Sequence, residues 1–352
     1  MTSTNLWTAC SSRNNNVIIA DTVFMKILIV NNTKIPALKY GGTERVIWSL
    51  GKALHRLGHE IHYLVEKGSE CSFATVHEIN PALSVNEQIP ENIDIVHLNF
   101  QSKEKITKPY ITTFHGNVNT EFSFDINTVF ISQNQAARFH ANEYVHNGLD
   151  WDEYDKPILN NTKKYFHFLG DAAWSVKNVK GAIAVTKAAH EKLIVLGGTR
   201  INFNMGFKFF PQLHVRFKGM VGGSRKNQIL QHSKGLVFPV LWHEPFGLAI
   251  IESLFYGCPV FGTTYGSLPE LVPSEMGFLS NSIFSLANAI HNSEDFNKKI
   301  CHDYAVENFS ASVMAENYLR MYHKVLNGNA IQASQPFFDK KDITPKKLPM
   351  NP

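Results

Sequence analysis

The chain reads as an α/β protein built from two doubly wound, Rossmann-like units. Three observations predict this. Its 352 residues suffice for two domains, and 44% apolar with 18% charged residues is an ordinary globular composition. Short apolar runs alternate with helical patterns, as expected of parallel strands joined by helical crossovers. The alternation restarts near residue 165 with a new apolar strand.

The first unit opens at Met25-Lys-Ile-Leu-Ile-Val30, a run with no polar break after Lys26, which predicts a buried strand over Lys26–Val30. A helix follows over Thr43–Leu57, where Val46, Leu50, Ala53, Leu54 and Leu57 recur at helical spacing and Gly58 supplies a stop. Further strands are expected at Glu60–Val65, Ile93–Leu98, Tyr110–Thr113 and Val129–Ser132, with the linker near Asp155–Lys164. The second unit begins at Tyr165–Gly170. It continues with a helix near Val179–Ala189, strands at Lys192–Leu196 and near Val215–Lys218, a helix near Lys226–His232, and strands at Gly235–Val240 and Pro259–Gly262. The last amphipathic helix, Val313–Leu326, carries Val313, Met314, Tyr318, Met321, Tyr322 and Val325. The expected domains are 25–158 and 159–305, then a helical segment 306–328. Residues 1–24, rich in Ser, Thr and Asn, are expected to be a disordered leader or a mis-assigned start. Residues 329–352, rich in Lys, Pro and Asp, are expected to be a flexible tail.

Net charge of +4 is too mild for a dedicated nucleic-acid binder. It suits anionic small molecules or an anionic membrane face, and an ordinary solvated surface accounts for it more simply than either. Cys10, Cys71, Cys258 and Cys301 are widely spaced, which argues against a disulfide framework and a thiolate zinc site and fits a reducing, cytoplasmic setting. No apolar run approaches a membrane span. His59-Glu60-Ile61-His62 is one residue short of a zinc-helix pattern, and Asp150-Trp151-Asp152 lies in the wrong context for a metal motif, so no metal site is expected.

The most informative stretch is Trp242-His-Glu244-Pro-Phe246-Gly247-Leu248-Ala-Ile-Ile-Glu252. The apolar run 235–241 before it predicts a strand, and the residues after Gly247 predict a helix. Glu244 then sits on the strand-to-helix loop, with Glu252 roughly two turns on. The N–H groups of Phe246, Gly247 and Leu248 lack helical partners there and suit a phosphate, while two carboxylates nearby can accept hydrogen bonds from hydroxyls. Taken alone, the pattern equally fits a helix with an acidic start. Gly41-Gly42 before the first helix would let a ligand approach the backbone, although Thr43 is also a plain N-cap. His115 ends a buried strand, where doubly wound sheets bind ligands; a structural role is the alternative. Asn147-Gly148 reads first as a turn.

This Glu-x7-Glu element resembles the donor-binding motif of retaining GT-B glycosyltransferases, family 4 (glycosyl transferases group 1). Glu252-Ser-Leu-Phe-Tyr-Gly257-Cys-Pro259-Val260 resembles that family's Glu-Ala-x-Ala-x-Gly-x-Pro-Val. Gly266-Ser-Leu-Pro269-Glu270-Leu-Val272 resembles its Gly-x-x-Pro-Glu-Leu-Val, and Gly277-Phe278-Leu279 its Gly-Phe-Leu. The Gly41-Gly42-Thr-Glu-Arg45 loop and Asn147-Gly148-Leu-Asp150 have counterparts too. The resemblance spans about residues 25–326. It implies the GT-B fold, two Rossmann-like domains facing across a cleft, with a C-terminal helix returning to the first.

The resemblance implies transfer of a sugar from a UDP- or GDP-sugar to a glycan or glycolipid, without a metal. Glu252 would hold the ribose, and Glu244 the sugar hydroxyls near the reacting carbon. Phe246, Gly247 and Leu248 would meet sugar and diphosphate, with Gly41, Gly42 and Gly170 close to the donor. His115 would orient the sugar and Lys177 would neutralise the leaving phosphate. The chain departs from the family at Asp171, where an Arg is usual after Gly170; Arg200 is the expected substitute cation. Two other functions remain open: a nucleotide-sugar epimerase, which the Glu-x7-Glu element matches less well, and a donor-binding module with degenerate catalysis, which Asp171 favours.

Overall fold

The computed structural model describes residues 24–37, 41–203 and 206–352. Except for Phe24, the expected leader lies outside the described residues.

The first domain holds β1 (Lys26–Val30), α1 (Gly42–Arg56), β2 (Glu60–Val65), β3 (Thr75–Glu78), β4 (Ile95–Leu98), β5 (Tyr110–Phe114), β6 (Phe122–Ser123), β7 (Thr128–Phe130) and α2 (Gln133–Arg138). Six of these strands form one parallel sheet in the order β3-β2-β1-β4-β5-β7. The second domain holds β8 (Tyr165–Leu169), α3 (Val179–Ala188), β9 (Leu193–Leu196), β10 (Ile201–Asn202), β11 (Lys208–Phe209), β12 (Val215–Phe217), α4 (Gly223–Gln231), β13 (Ser233–Phe238), α5 (Leu248–Phe255), β14 (Val260–Gly262), α6 (Leu268–Leu271), β15 (Gly277–Leu279), α7 (Ile283–His291) and α8 (Lys298–Phe309). Its parallel sheet runs β12-β9-β8-β13-β14-β15. Strand order reverses direction beside β1 in one sheet and beside β8 in the other. Those are the switch points where such sheets open a crevice at their carboxyl ends.

The chain then re-enters the first domain. Ser310 caps α9 (Ala311–Leu326) through Val313 N–H, and α9 packs on α1 and β5. Met314, Ala315, Tyr318 and Tyr322 bury against Val46, Leu50 and Leu54 of α1. A fully buried polar chain fixes its register: Tyr322 Oη lies 2.8 Å from His97 Nδ1, His97 Nε2 lies 2.7 Å from Thr113 Oγ1, and Thr113 Oγ1 lies 2.9 Å from Tyr318 Oη. Burial pushes His97 down to about 3, so the imidazole stays neutral and serves as donor to one hydroxyl and acceptor from the other.

Residues 329–352 are not the loose tail that their composition predicts. Ile331 and Phe338 are fully buried, and β16 (Phe337–Phe338) pairs antiparallel with β6. Gln332 caps the first domain by accepting from Asn142 and Glu143 N–H. The chain then passes to the second domain, where Leu348 N–H donates to Leu241 O (2.7 Å) and Asn351 O accepts from Ile283 N–H (2.9 Å). A few apolar anchors and backbone bonds outweigh a polar average. Sequence reading also missed β3, a half-exposed edge strand, and the β10–β11 hairpin. Among the described residues Cys71, Cys258 and Cys301 are free, and no helix is long and apolar enough to cross a membrane.

Candidate functional site

A cleft of about 630 Å³ separates the two domains. The first domain lines it with Gly41, Gly42 and His115, and the second with Gly170, Lys177, Glu244, Phe246, Gly247, Leu248 and Glu252. Of the residues expected to act on the donor, Arg200 alone is not among the cleft lining.

Two helices point their N-termini into this cleft. Among the described residues neither α1 nor α5 receives a side-chain cap, which leaves the first N–H groups of both for a ligand. The two starts meet across the domain boundary: a Cβ built on Gly42 would stand 3.5 Å from Leu248 Cδ1. Gly247 enters α5 at φ +89°, a left-handed conformation that turns the chain from β13 into the helix. Gly266, at φ +66°, lets a second loop press on the first, since a Cβ there would fall 2.2 Å from Glu244 N. Ser267 completes the brace, donating N–H to Glu244 O (3.0 Å) and Oγ–H to Phe246 O (2.7 Å).

Glu244 and Lys177 form a close pair. Lys177 Nζ lies 2.8 and 2.7 Å from the two carboxylate oxygens, and Trp242 Nε1–H donates to Oε2 at 2.7 Å. The ammonium sits 5.0–5.5 Å from the ring centres of Trp174, Phe238 and Trp242. This aromatic box presents one cation to the cleft while limiting its mobility.

Glu252 is 2% exposed and heavily bonded. Arg45 forks onto both its oxygens (2.6 and 3.3 Å), Tyr154 Oη–H donates to Oε1 (2.9 Å), and Lys226 Nζ bonds the same oxygen. Burial alone would raise its pKa; Arg45 and Lys226 reverse this and hold the carboxyl well below the usual range. Arg45 comes from α1, so the pair also bridges the domains. Other bridges lie nearby: Asn117 Nδ2–H donates to His243 O (2.6 Å), and Glu270 accepts from Gln133 and Asn134 N–H and contacts His146 Nε2 (2.8 Å).

His115 Nε2 lies 2.9 Å from Asn99 Oδ1. Asn99 donates its amide to Val30 O, which turns its oxygen toward the ring and makes Nε2 the protonated nitrogen. Burial lowers the pKa of His115 to about 4, so it is neutral with Nδ1 as acceptor.

One expectation needs correction. Arg200 does not replace the missing cation. Its guanidinium donates to the carbonyls of Phe210, Gln212 and Val215, and it pins the β10–β11 hairpin instead. Asp171, which stands where the family has Arg, accepts at Oδ1 from Ala173 N–H (2.8 Å) in a local turn. Sequence reading missed Tyr154 and Lys226, and it gave Arg45 no role of its own. They lie 98, 26 and 207 positions from Glu252, beyond any local pattern. It also read Asn147 first as a turn and gave it no contact of its own. Asn147 is 4% exposed, lines the cleft, and its Oδ1 has no protein partner among the described residues.

Residues 163–294 match the family described as glycosyl transferases group 1. That span holds β8 to α7 and therefore every second-domain cleft residue. The second domain is similar to that family over most of its length. The enzyme class of the chain is accordingly that of a glycosyltransferase. Solved structures agree on the GT-B fold across nearly the whole chain. AviGT4, a glycosyltransferase involved in avilamycin A biosynthesis, superposes with a TM-score of 0.71 at 20% identity, covering 86% of this chain and 98% of its own. Sucrose-phosphate synthase from Thermosynechococcus elongatus gives 0.67 at 16%, covering 87% and 100%. Anabaena HepE in complex with UDP and glucose gives 0.60 at 16%, covering 85% and 100%. No curated protein matches the sequence.

Proposed function

We propose that the chain is a retaining glycosyltransferase that moves a sugar from a UDP- or GDP-sugar to a glycan or glycolipid acceptor without a metal. The observation that carries this reading is the meeting of two uncapped helix N-termini over a cleft that also holds Lys177, Glu244 and Glu252. A diphosphate placed between α1 and α5 accepts hydrogen bonds from both. Lys177 adds the positive charge that a departing phosphate needs. These groups supply the stabilisation that a divalent cation gives elsewhere, which is the reason for expecting none here.

In the proposed step the bond between the sugar's anomeric carbon and the phosphate oxygen breaks, and its electron pair stays with the diphosphate. The acceptor oxygen bonds to the same carbon from the same face and gives its proton to the leaving phosphate. Glu244 orients the sugar hydroxyls and loosens its hold on Lys177 as the phosphate arrives. Glu252 takes the ribose hydroxyls, and neutral His115 accepts a hydrogen bond at Nδ1. Closure of the domains keeps water from the anomeric carbon. Among solved relatives of the fold, HepE has been seen with UDP-glucose and the pneumococcal O-GlcNAc transferase GtfA with UDP and GlcNAc, which supports a UDP-sugar first.

A second reading, a donor-binding module with degenerate catalysis, draws on Lys177 being already neutralised by Glu244 and on Asp171 replacing the usual Arg. One experiment separates them. UDP, GDP, ADP and their sugar conjugates are screened by thermal shift and calorimetry, and those that bind are then assayed for transfer. Binding with turnover supports the transferase. Binding without release of nucleoside diphosphate favours the module, and no binding overturns both.

A further inference from the structure

The β10–β11 hairpin is built inside out. In a two-stranded ribbon lying on a domain, alternate side chains face inward and outward, and the outward set is normally polar. Here Ile201 pairs with Phe209 and Asn202 with Lys208. Asn202 is buried and Lys208 donates to Ala173 O, so the polar pair faces the protein. The apolar pair faces solvent, Ile201 at 50% and Phe209 at 52% exposure. Phe203 and Phe207 continue the outward set at 76% and 69%, with ring centres 5.6 Å apart. Leu213, just beyond, is 94% exposed. Large apolar side chains gathered on one face mark a docking surface.

The surroundings are cationic. Residues 171–226 contain ten Lys and Arg against two Asp and Glu; Lys177 and Lys226 pair with Glu244 and Glu252 in the cleft, and Arg200 and Lys208 bond backbone carbonyls, which leaves Arg216 and Lys218 as the cations at the hairpin. Beside the hairpin, Arg216 and Lys218 line an open hollow and form no ion pair among the described residues. An isologous contact between two copies would bring these cations together, which disfavours a dimer. Apolar rings edged by unpaired cations instead fit a bilayer surface, with the rings at the headgroup boundary and the cations against anionic lipid.

We infer that the β10–β11 hairpin, with Arg216 and Lys218, docks the second domain on an anionic lipid bilayer. Through Lys208 the hairpin is tied to the loop that carries Trp174, a cleft residue, so docking would set the cleft mouth beside the lipid surface. This does not depend on the identity of the donor.

The test is co-sedimentation of the full chain with vesicles of phosphatidylcholine alone and of phosphatidylcholine mixed with phosphatidylglycerol. The expected result is binding to the mixed vesicles that weakens with salt. Arg216→Glu with Lys218→Glu should weaken it by about fivefold or more for each charge. Phe203→Ser with Phe207→Ser should abolish it. Melting temperatures near wild type for both pairs would show that the fold is intact; if either pair unfolds the chain, Phe203→Ser alone and Arg216→Gln alone provide the same comparison. Wild-type chain left in the supernatant with mixed vesicles overturns the inference. So does retention of full binding by the phenylalanine variants. A concentration-dependent dimer in sedimentation velocity, dispersed by the same variants, would assign the face to a second copy instead.

Discussion

The cluster around Glu252 permits a quantitative test. Glu252→Gln removes a 2% exposed carboxylate and leaves Arg45 and Lys226 facing each other without a counter-ion. Breaking a buried ion pair from one side costs about 3–5 kcal/mol. Arg45→Met is milder, because Lys226 and Tyr154 still serve the carboxylate and Arg45 is itself 31% exposed; about 1–2 kcal/mol is expected. Unfolding entropy of about 2.1 cal/mol/K per residue over 352 residues makes each kcal/mol worth ~1.4 °C. Calorimetry should therefore show melting lowered by about 4–7 °C for Glu252→Gln and ~1–3 °C for Arg45→Met. The double variant should lose less than the sum, since removing Arg45 relieves the repulsion that Glu252→Gln creates. Nucleotide-induced stabilisation should survive in Arg45→Met and vanish in Glu252→Gln. A Glu252→Gln protein as stable as wild type, or losses that simply add, would refute the claim that these charges compensate one another.

Other consequences follow from the same geometry. Glu244→Ala and Lys177→Ala should each lower transfer by about 10²-fold or more while nucleotide still binds, read by kcat and calorimetry; full activity in either removes that residue from the mechanism. Arg200→Ala should lower the melting temperature by freeing three carbonyls, yet leave nucleotide affinity unchanged. Burial holds His97 and His167 at about 3 and His115 and His243 at about 4, below the ordinary 6.5. In the window between those values the unfolded chain binds more protons than the native one. Stability is then complete above about pH 6.5 and falls with acidification toward about pH 4, which denaturant midpoints across that range will show. Glu252 is depressed, so its contribution is lost only in stronger acid, and a decline beginning near neutrality belongs to the histidines.

Much of this architecture was legible because β1, β8 and the stretch 235–241 that contains the second half of β13 are largely apolar runs, as doubly buried parallel strands must be. The Glu244–Glu252 spacing was legible for a local reason: one strand end, one turn and one helix carry both residues. What escaped notice was set at long range. Arg45 reaches Glu252 only because two sheets face each other, and no periodicity records that. Arg200 follows a glycine pair at a strand end, which points to a ligand. The hairpin that claims its guanidinium was not recognised, because its outward face is apolar. The C-terminal segment was misread through its average, where Ile331 and Phe338 are few among many polar residues.

That segment changes what kind of motion the enzyme has. A single connector would let one domain swing against the other in any direction. Here the polypeptide passes between them three times. Two passages lie side by side, with Leu149 N–H on Phe309 O and Ala311 N–H on Leu149 O. The third runs separately, from Asp342, held by His140, to Leu348 on Leu241. Bodies joined at two places keep one easy rotation, about the line through both joints. Opening of the cleft therefore reduces to a single angular coordinate. A cut anywhere between residues 155 and 164 would leave the halves aligned, still held by the other two passages.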